Sequence, residues 1–338
     1  MNFDFSDDQQ AIKRTAKEML AERFKLEKVR ELAEAGEYHQ EAWTEMCELG
    51  WAGIFIDDKH GGQGLGLVEL AILCEELGYA LAPVPFLSNA AAGLALQIAG
   101  TEEQRQRWLP GIASGEARGT LGLLRAGEAK LVPDAVGAEV IVLLTGDGAQ
   151  VVEAANAEIE PLDVIDATRP YAAVRADGGD SLAGEGGDSP YRLATALAAE
   201  LTGVAQRALE MAVEYARDRK QFGRPIGAYQ AVSHRCAQML LEVEGARSTS
   251  YYAAWCGDAE PESLALAGSM AKAYASDAGW RVTASALQVL GGIGFTWEHD
   301  LHFFLKRAKV DGVLYGTAEE YRDNVARLAG LSREPATA

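Results

Sequence analysis

The chain has 338 residues, is 48% hydrophobic and 24% charged, and carries a formal net charge of −19 with a pI near 4.7. That length suits two or three domains with substantial cores. That acidity argues against nucleic acid and anionic membrane surfaces as partners, since both reward Lys and Arg clustered over a broad face.

Residues 1 to about 117 read as helical. Ser6 with Gln9 three residues on forms a capping box, Phe5 precedes it, and Ile12, Ala16, Met19 and Leu20 continue an apolar stripe. A second helix runs from about Glu41 to Leu49 and stops at Gly50, and a third starts near Leu67 and ends at Gly78. Thr101-Glu102-Glu103-Gln104 caps a further helix, which Pro110 is expected to break. The glycines of Gly61-Gly62-Gln63-Gly64-Leu65-Gly66 imitate a nucleotide loop, but no strand precedes them, so they read as a helix connector.

From about Gly119 to Pro190 the texture changes to short alternating or β-branched runs. Thr120 to Leu124, Glu139 to Leu144 and Tyr171 to Arg175 predict strands, and Gly178-Gly179-Asp180 through Gly186-Gly187-Asp188 predict turns. Helical periodicity returns at Tyr191, over roughly 191–219, 228–256, 260–290, 297–310 and 317–330, before Pro335 and small residues end a frayed tail. No stretch approaches about 20 uncharged apolar residues, so no membrane insertion is expected. The acidic N-terminus carries no signal-peptide pattern, which points to the cytoplasm. Cys47, Cys74, Cys236 and Cys256 lie far apart in apolar surroundings and read as buried thiols, neither a disulfide frame nor a metal site. His299 and His302 lack an acidic or thiol partner at metal spacing, so no metal is expected.

One segment stands against the acidic background. Arg217, Arg219, Lys220 and Arg224 place four cations within eight residues, interleaved with Phe222, Gly223 and Gly227. Two readings compete, a solvated helix end and a phosphate clamp. The glycines let backbone approach a ligand closely, and Phe222 can cover a flat apolar group.

The motifs downstream favour the clamp. Arg219-Lys220-Gln221-Phe222-Gly223 and Gln288-Val289-Leu290-Gly291-Gly292-Ile293-Gly294-Phe295 resemble two signatures of the acyl-CoA dehydrogenase family, Arg-x-x-Phe-Gly and Gln-x-x-Gly-Gly-x-Gly-[Phe/Tyr]. Leu314-Tyr315-Gly316-Thr317 stands where that family has Tyr-Glu-Gly-Thr, with Tyr315 at the family interval of 27 residues after Gln288 (315 − 288). The resemblance implies a mainly α fold with an N-terminal helical domain (1–117), a reduced β middle domain (118–190) and a C-terminal four-helix bundle (191–332), followed by a tail (333–338). It implies FAD as cofactor, held through Arg219, Gln221, Phe222, Gln288, Gly291, Gly292, Thr317 and Glu319. A pyrophosphate favours a bidentate guanidinium, which Arg219 offers, and Gln288 has an amide able to donate and accept.

The resemblance also shows what is missing. The family's base is the Glu of Tyr-Glu-Gly-Thr, which removes the proton α to a thioester carbonyl, and here its place is taken by Tyr315. A phenol with an ordinary pKa near 10 is a poor acceptor at neutral pH. Some relatives carry the base on the first long helix of the bundle, where Glu200 is the first carboxylate but lies two turns late. The middle-domain segments that wrap the flavin ring in relatives are absent as well. What remains is the half that reaches across to a neighbouring subunit's flavin. The expectation is therefore a component of a heteromeric acyl-CoA dehydrogenase, a heterotetramer with a homologous catalytic subunit. Its substrate would be an acyl-CoA, with a bulky or steroid side chain among the candidates, and its electron acceptor an electron-transfer flavoprotein. A self-sufficient homomer with a displaced carboxylate and a flavin-free assembly subunit stay open.

Overall fold

In the computed structural model, residues 4–145, 148–183 and 187–331 are described. The tail around Pro335 and part of the Gly178–Asp188 turn region lie outside them. Six helices open the chain: α1 (Asp7–Arg23), α2 (Leu26–Ala35), α3 (Gln40–Glu48), α4 (Leu67–Ala80), α5 (Phe86–Ala99) and α6 (Glu102–Ser114). The capping boxes expected at Ser6/Gln9 and Thr101/Gln104 are both formed. Pro110 does not break α6, which continues to Ser114. Pro110 deprives only the exposed Gln106 side of one bond, whereas the flanking Leu109, Ile112 and Ala113 are buried and hold the helix in register. The Gly61–Gly66 segment is indeed a connector packed on its own chain: a Cβ at Gly62 would meet the Ile56 carbonyl oxygen at 2.0 Å.

Seven strands follow: β1 (Gly119–Arg125), β2 (Glu128–Pro133), β3 (Val140–Leu144), β4 (Ala149–Glu153), β5 (Glu158–Leu162), β6 (Tyr171–Arg175) and β7 (Asp180–Ser181). They form one sheet in the order β5-β6-β2-β1-β3-β4-β7, antiparallel except for β1 beside β3. β3 buries both faces. Val140, Val142 and Leu144 join the main core beneath α5, while Ile141 and Leu143 enter a second core with Val132, Val152 and Val174. At one edge, β5 carries Glu158, Glu160 and Pro161, residues that discourage further strand pairing.

Three 30-residue helices dominate the remainder, α7 (Ser189–Asp218), α8 (Gln230–Ala259) and α9 (Pro261–Leu290), with α10 (Leu301–Asp311) and α11 (Ala318–Leu328) packed on α9. A small ribbon, β8 (Lys220–Gln221) and β9 (Arg224–Pro225), separates α7 from α8. α10 begins four residues later than its periodicity suggests, because residues 296–300, which follow the 3₁₀ turn of Gly291–Phe295, form turns and not helix. Small residues set the helix directions. Gly268 of α9 lies against Tyr191 and Thr195, and Gly279 against Leu201, so α7 and α9 run parallel. The Glu242–Arg281 ion pair and the contact of Gly245 with Tyr274 make α8 antiparallel to both. The C-terminal ends of α7 and α9 therefore share one end of the bundle.

α4 ties the N-terminal helices to this bundle. Gly78 and Gly203 bring its backbone against α7, and Asp258 of α8 accepts from the first two amides of α4, Leu67 N at 2.7 Å and Val68 N at 3.0 Å. Cys74 and Cys256 are buried as expected, but Cys47 and Cys236 are only half-buried. Among the described residues, no helix is long and apolar enough to cross a membrane.

Candidate cofactor site

The shared end of α7 and α9 gathers most of the predicted contacts. α7 stops at Arg219, whose extended backbone turns the chain into the β8–β9 ribbon, closed at its base by Ile226 N donating to Arg219 O at 2.8 Å. Gln221 pairs with Arg224 across a two-residue turn, so Phe222 and Gly223 both take positive φ, +53° and +83°. That suits a type I′ hairpin, whose first position favours Asn, Asp or Gly. Phe222 is thus strained by about 1 kcal/mol or more, and it is also 92% exposed. Strain and a bare aromatic at the same residue are not what folding alone selects. Tyr229 steadies the ribbon by donating to Gln221 O at 3.2 Å and stacking under the Arg224 guanidinium at 4.0 Å.

Arg217, Arg219 and Lys220 are exposed, and none of them makes an ion pair among the described residues. In a chain of charge −19, three unneutralised cations where α7 runs into the ribbon form a local anion site. At the end of α9, Gln288 is exposed, and Gly291 takes φ +63°, ψ −136°, a backbone region reserved for glycine. An added Cβ at Gly291 or Gly292 would meet nothing within 4 Å, so their outer faces are open to a ligand. Phe295 nearby is 71% exposed. Cations for phosphates, bare glycine backbone and exposed aromatics together fit an elongated dinucleotide. The fit is to its phosphate and flat portions, since no redox or acid–base group lies among them.

Thr317 and Glu319 are not part of this cluster. Lys272 Nζ donates to Gly316 O at 3.2 Å, which places Thr317 beside the middle of α9. Gln288 lies 16 residues further along (288 − 272), about 24 Å at 1.5 Å per residue. Thr317 caps α11, its hydroxyl accepting from Glu320 N and its N–H donating to Glu320 Oε2, while Glu319 is exposed on the first turn. Here a groove of about 370 Å³ runs between the β1–β2 hairpin and the 313–317 segment, and Arg125 spans it to Glu320 at 2.8 Å.

Tyr315 faces away from solvent. Its side chain is buried, its φ is +57°, and its hydroxyl has no hydrogen-bond partner. Burial drives its phenol far above the ordinary range, with Asp134, Glu200 and Asp311 adding to the rise against Arg169. At neutral pH it therefore keeps its proton. Glu200 is 3% exposed and bound by two guanidiniums, Arg169 at 2.5 Å and Arg307 at 2.9 Å. The space beside it, lined by Cys74, Leu77, Phe86, Leu87 and Arg169, amounts to about 10 Å³, room for one water and for no acyl chain. Arg169, Asp166, Arg307 and Asp311 escaped the sequence reading. The one signal was Arg307 and Asp311 spaced i, i+4 on a helix stripe shared with Phe304.

Comparison with known proteins agrees with this layout. The acyl-CoA dehydrogenase N-terminal domain model matches residues 6–116, and the C-terminal domain model matches residues 192–330. IpdE2 of Mycolicibacterium smegmatis, an acyl-CoA dehydrogenase, is 34% identical over 84% of this chain and 86% of its own length. IpdE2 of Mycobacterium tuberculosis is 35% identical over 80% and 81%. Among solved structures, the steroid ACAD Tcur3481–Tcur3483 is 25% identical, covers 96% of this chain and 98% of its own, and superposes with a TM-score of 0.87.

Proposed function

The chain belongs to the acyl-CoA dehydrogenase family, and from that we infer that it is the flavin-clamping component of a two-chain acyl-CoA dehydrogenase whose base comes from a homologous partner. The observation that carries this reading is the division of the chain into an open half and a sealed half. The ribbon cations, Phe222 and the Gly291–Gly292 backbone are exposed and poised. The position of the base is a buried phenol on the groove of about 370 Å³, and the space beside Glu200, the carboxylate of α7, is about 10 Å³ and admits no thioester.

FAD supplies the acceptor for the hydride leaving the β-carbon of the acyl group. Arg219 would hold its pyrophosphate, with Lys220 adding a second positive charge. Phe222 would cover a flat portion of the cofactor, Gln288 would supply an amide for hydrogen bonding, and Gly291 with Gly292 would allow backbone contact. The exposed Arg125–Glu320 pair bridges this chain's own groove, and Thr317 caps α11, so Thr317 and Glu319 act on the fold more than on the cofactor. The α-proton goes to a carboxylate of the partner chain, because Tyr315 has no capacity to take it. Similarity to a steroid ACAD supports a bulky acyl-CoA, such as a steroid side-chain thioester, as substrate. The family resemblance supports an electron-transfer flavoprotein as the electron acceptor.

The test is expression alone and with a homologous partner, followed by flavin-to-protein ratio and acyl-CoA-dependent dye reduction. Stoichiometric flavin and activity are expected only in the complex. Arg219→Ala in the complex should weaken flavin retention about 10- to 100-fold, the worth of one charge-assisted contact. A yellow, active lone chain would overturn the reading, and unchanged flavin in the Arg219 variant would remove the clamp.

A further inference from the structure

The densest polar cluster of the molecule lies deep inside it, where three parts of the fold meet. Arg169 and Asp166 sit on the link from β5 to β6, Glu200 on α7, and Arg307 and Asp311 on α10, all at 5% exposure or less. Arg307 donates to Asp166 Oδ2 at 2.6 Å, to Thr168 Oγ1 at 2.6 Å and to Glu200 Oε1 at 2.9 Å. Arg169 donates to the same Glu200 oxygen at 2.5 Å and to Asp311 Oδ1 at 3.2 Å. Asp134, at the end of β2, accepts from Ser88 of α5 at 2.7 Å, within the field of Arg169. From α9, Lys272 contributes the last cation, but its Nζ is spent on the Ser276 hydroxyl and on the carbonyls of Asp311, Gly312 and Gly316.

Four buried carboxylates thus face three cations, only two of which touch carboxylates. The deficit is visible in the bonding. Glu200 uses one oxygen for both guanidiniums and leaves Oε2 without a donor, and Asp311 leaves Oδ2 bare. Tyr171 and Tyr315 also enclose unpartnered hydroxyls there. An ionised buried carboxylate with a naked oxygen is costly. A proton on Asp311 Oδ2 removes one charge and adds the missing donor.

We propose that this cluster is a proton-dependent latch between the sheet and the bundle. It closes with one proton held on Asp311, and it loosens when that proton leaves for solvent. The device does not depend on which chain holds the flavin. Burial, reinforced by the charge of Glu200, pushes Asp311 up to about 7 against the pull of Arg169 and Arg307. Burial likewise lifts Asp134 to about 6. Asp166 moves the other way: its burial is overcome by Arg307 and Thr168, so it stays ionised and anchors Arg307.

An acid whose folded pKa is raised holds its proton in the native state after the unfolded chain has lost it. Its contribution to stability is full on the acid side and drains away as pH rises from about 4 to about 7. Lys272, lowered by burial to about 7, gives the opposite slope above that value. The diagnostic is therefore the difference between wild type and Asp311→Asn, whose amide mimics the protonated acid at every pH. Thermal midpoints and hydrogen exchange of the full chain are followed from pH 5 to 8, with α8 as internal reference. The wild-type midpoint is expected to fall relative to the variant as pH rises from 5 to about 7 and to level off above that. Wild-type exchange in β6 and α10 should gain about tenfold beyond its intrinsic pH dependence, one pKa unit's worth, and the variant should not. Parallel wild-type and variant profiles overturn the proposal. If Asp311→Asn does not fold, wild-type exchange of β6 and α10 that follows only its intrinsic pH dependence overturns the proposal without any variant.

Discussion

Phe222 and Tyr315 are both aromatic, both left-handed in backbone, and opposite in every other respect. The first is displayed to solvent at a stability cost that only a ligand or partner repays. Phe222→Asn places a residue that tolerates positive φ in the same turn, so the denaturation midpoint should rise, by about 1 kcal/mol in stability. Flavin retention in the complex should fall, because the aromatic cover is gone. Chemical denaturation and the visible flavin spectrum check the two effects separately, and a role confined to the fold would leave flavin content untouched. Tyr315 makes the complementary case. A buried hydroxyl without a partner costs about 1–3 kcal/mol, so Tyr315→Phe should be neutral or stabilising and should leave turnover of the complex unchanged. A loss of turnover in that variant would return Tyr315 to the chemistry. At this scale the motifs were legible because Arg-x-x-Phe-Gly and the glycine run are local in sequence, while the burial of Tyr315 was not, since it depends on residues from β2, α7 and α10.

Elements were legible in proportion to their polarity contrast. α1 and α6 have polar faces and hydroxyl caps, and both announce themselves. α5 does not: from Phe86 to Leu96 it is buried all round, and its run of Ala, Ser, Asn and Gly has no polar stripe to reveal a 3.6-residue period. β2, β4 and β5 were lost for a related reason, being short edge or two-sided strands whose pairing is fixed by distant partners. The N-terminus of α4 shows how far such partners reach. Gly66 has no side chain to cap the helix, and Asp258, about 190 residues away, takes both free amides. The carboxylate also meets the positive end of the helix dipole. Asp258→Ala should cost about 1–2 kcal/mol and accelerate hydrogen exchange in the first turn of α4, with Asp258→Asn in between. Equal exchange in all three would mean the cap is ornamental.

At the scale of the whole molecule, the open and sealed halves lie at separate places on one rigid bundle, and that separation has a countable consequence. On the proposed reading, each flavin takes the ribbon of one chain and the catalytic face of another. This chain then offers the first and withholds the second, since Tyr315 stands at the base position and the space beside Glu200 is about 10 Å³. A complex of unlike chains should then hold one flavin and one reducible acyl-CoA site per pair, not per chain. Anaerobic titration with acyl-CoA, read as flavin bleaching per mole of each chain, measures this directly. Two flavins per pair would mean that this chain's groove of about 370 Å³ also carries a cofactor despite the Arg125–Glu320 bridge across it. The sequence could not settle that count, because the seal is assembled from the β5–β6 link, α7 and α10, segments that lie 31 to 142 residues apart along the chain and meet only once it is folded.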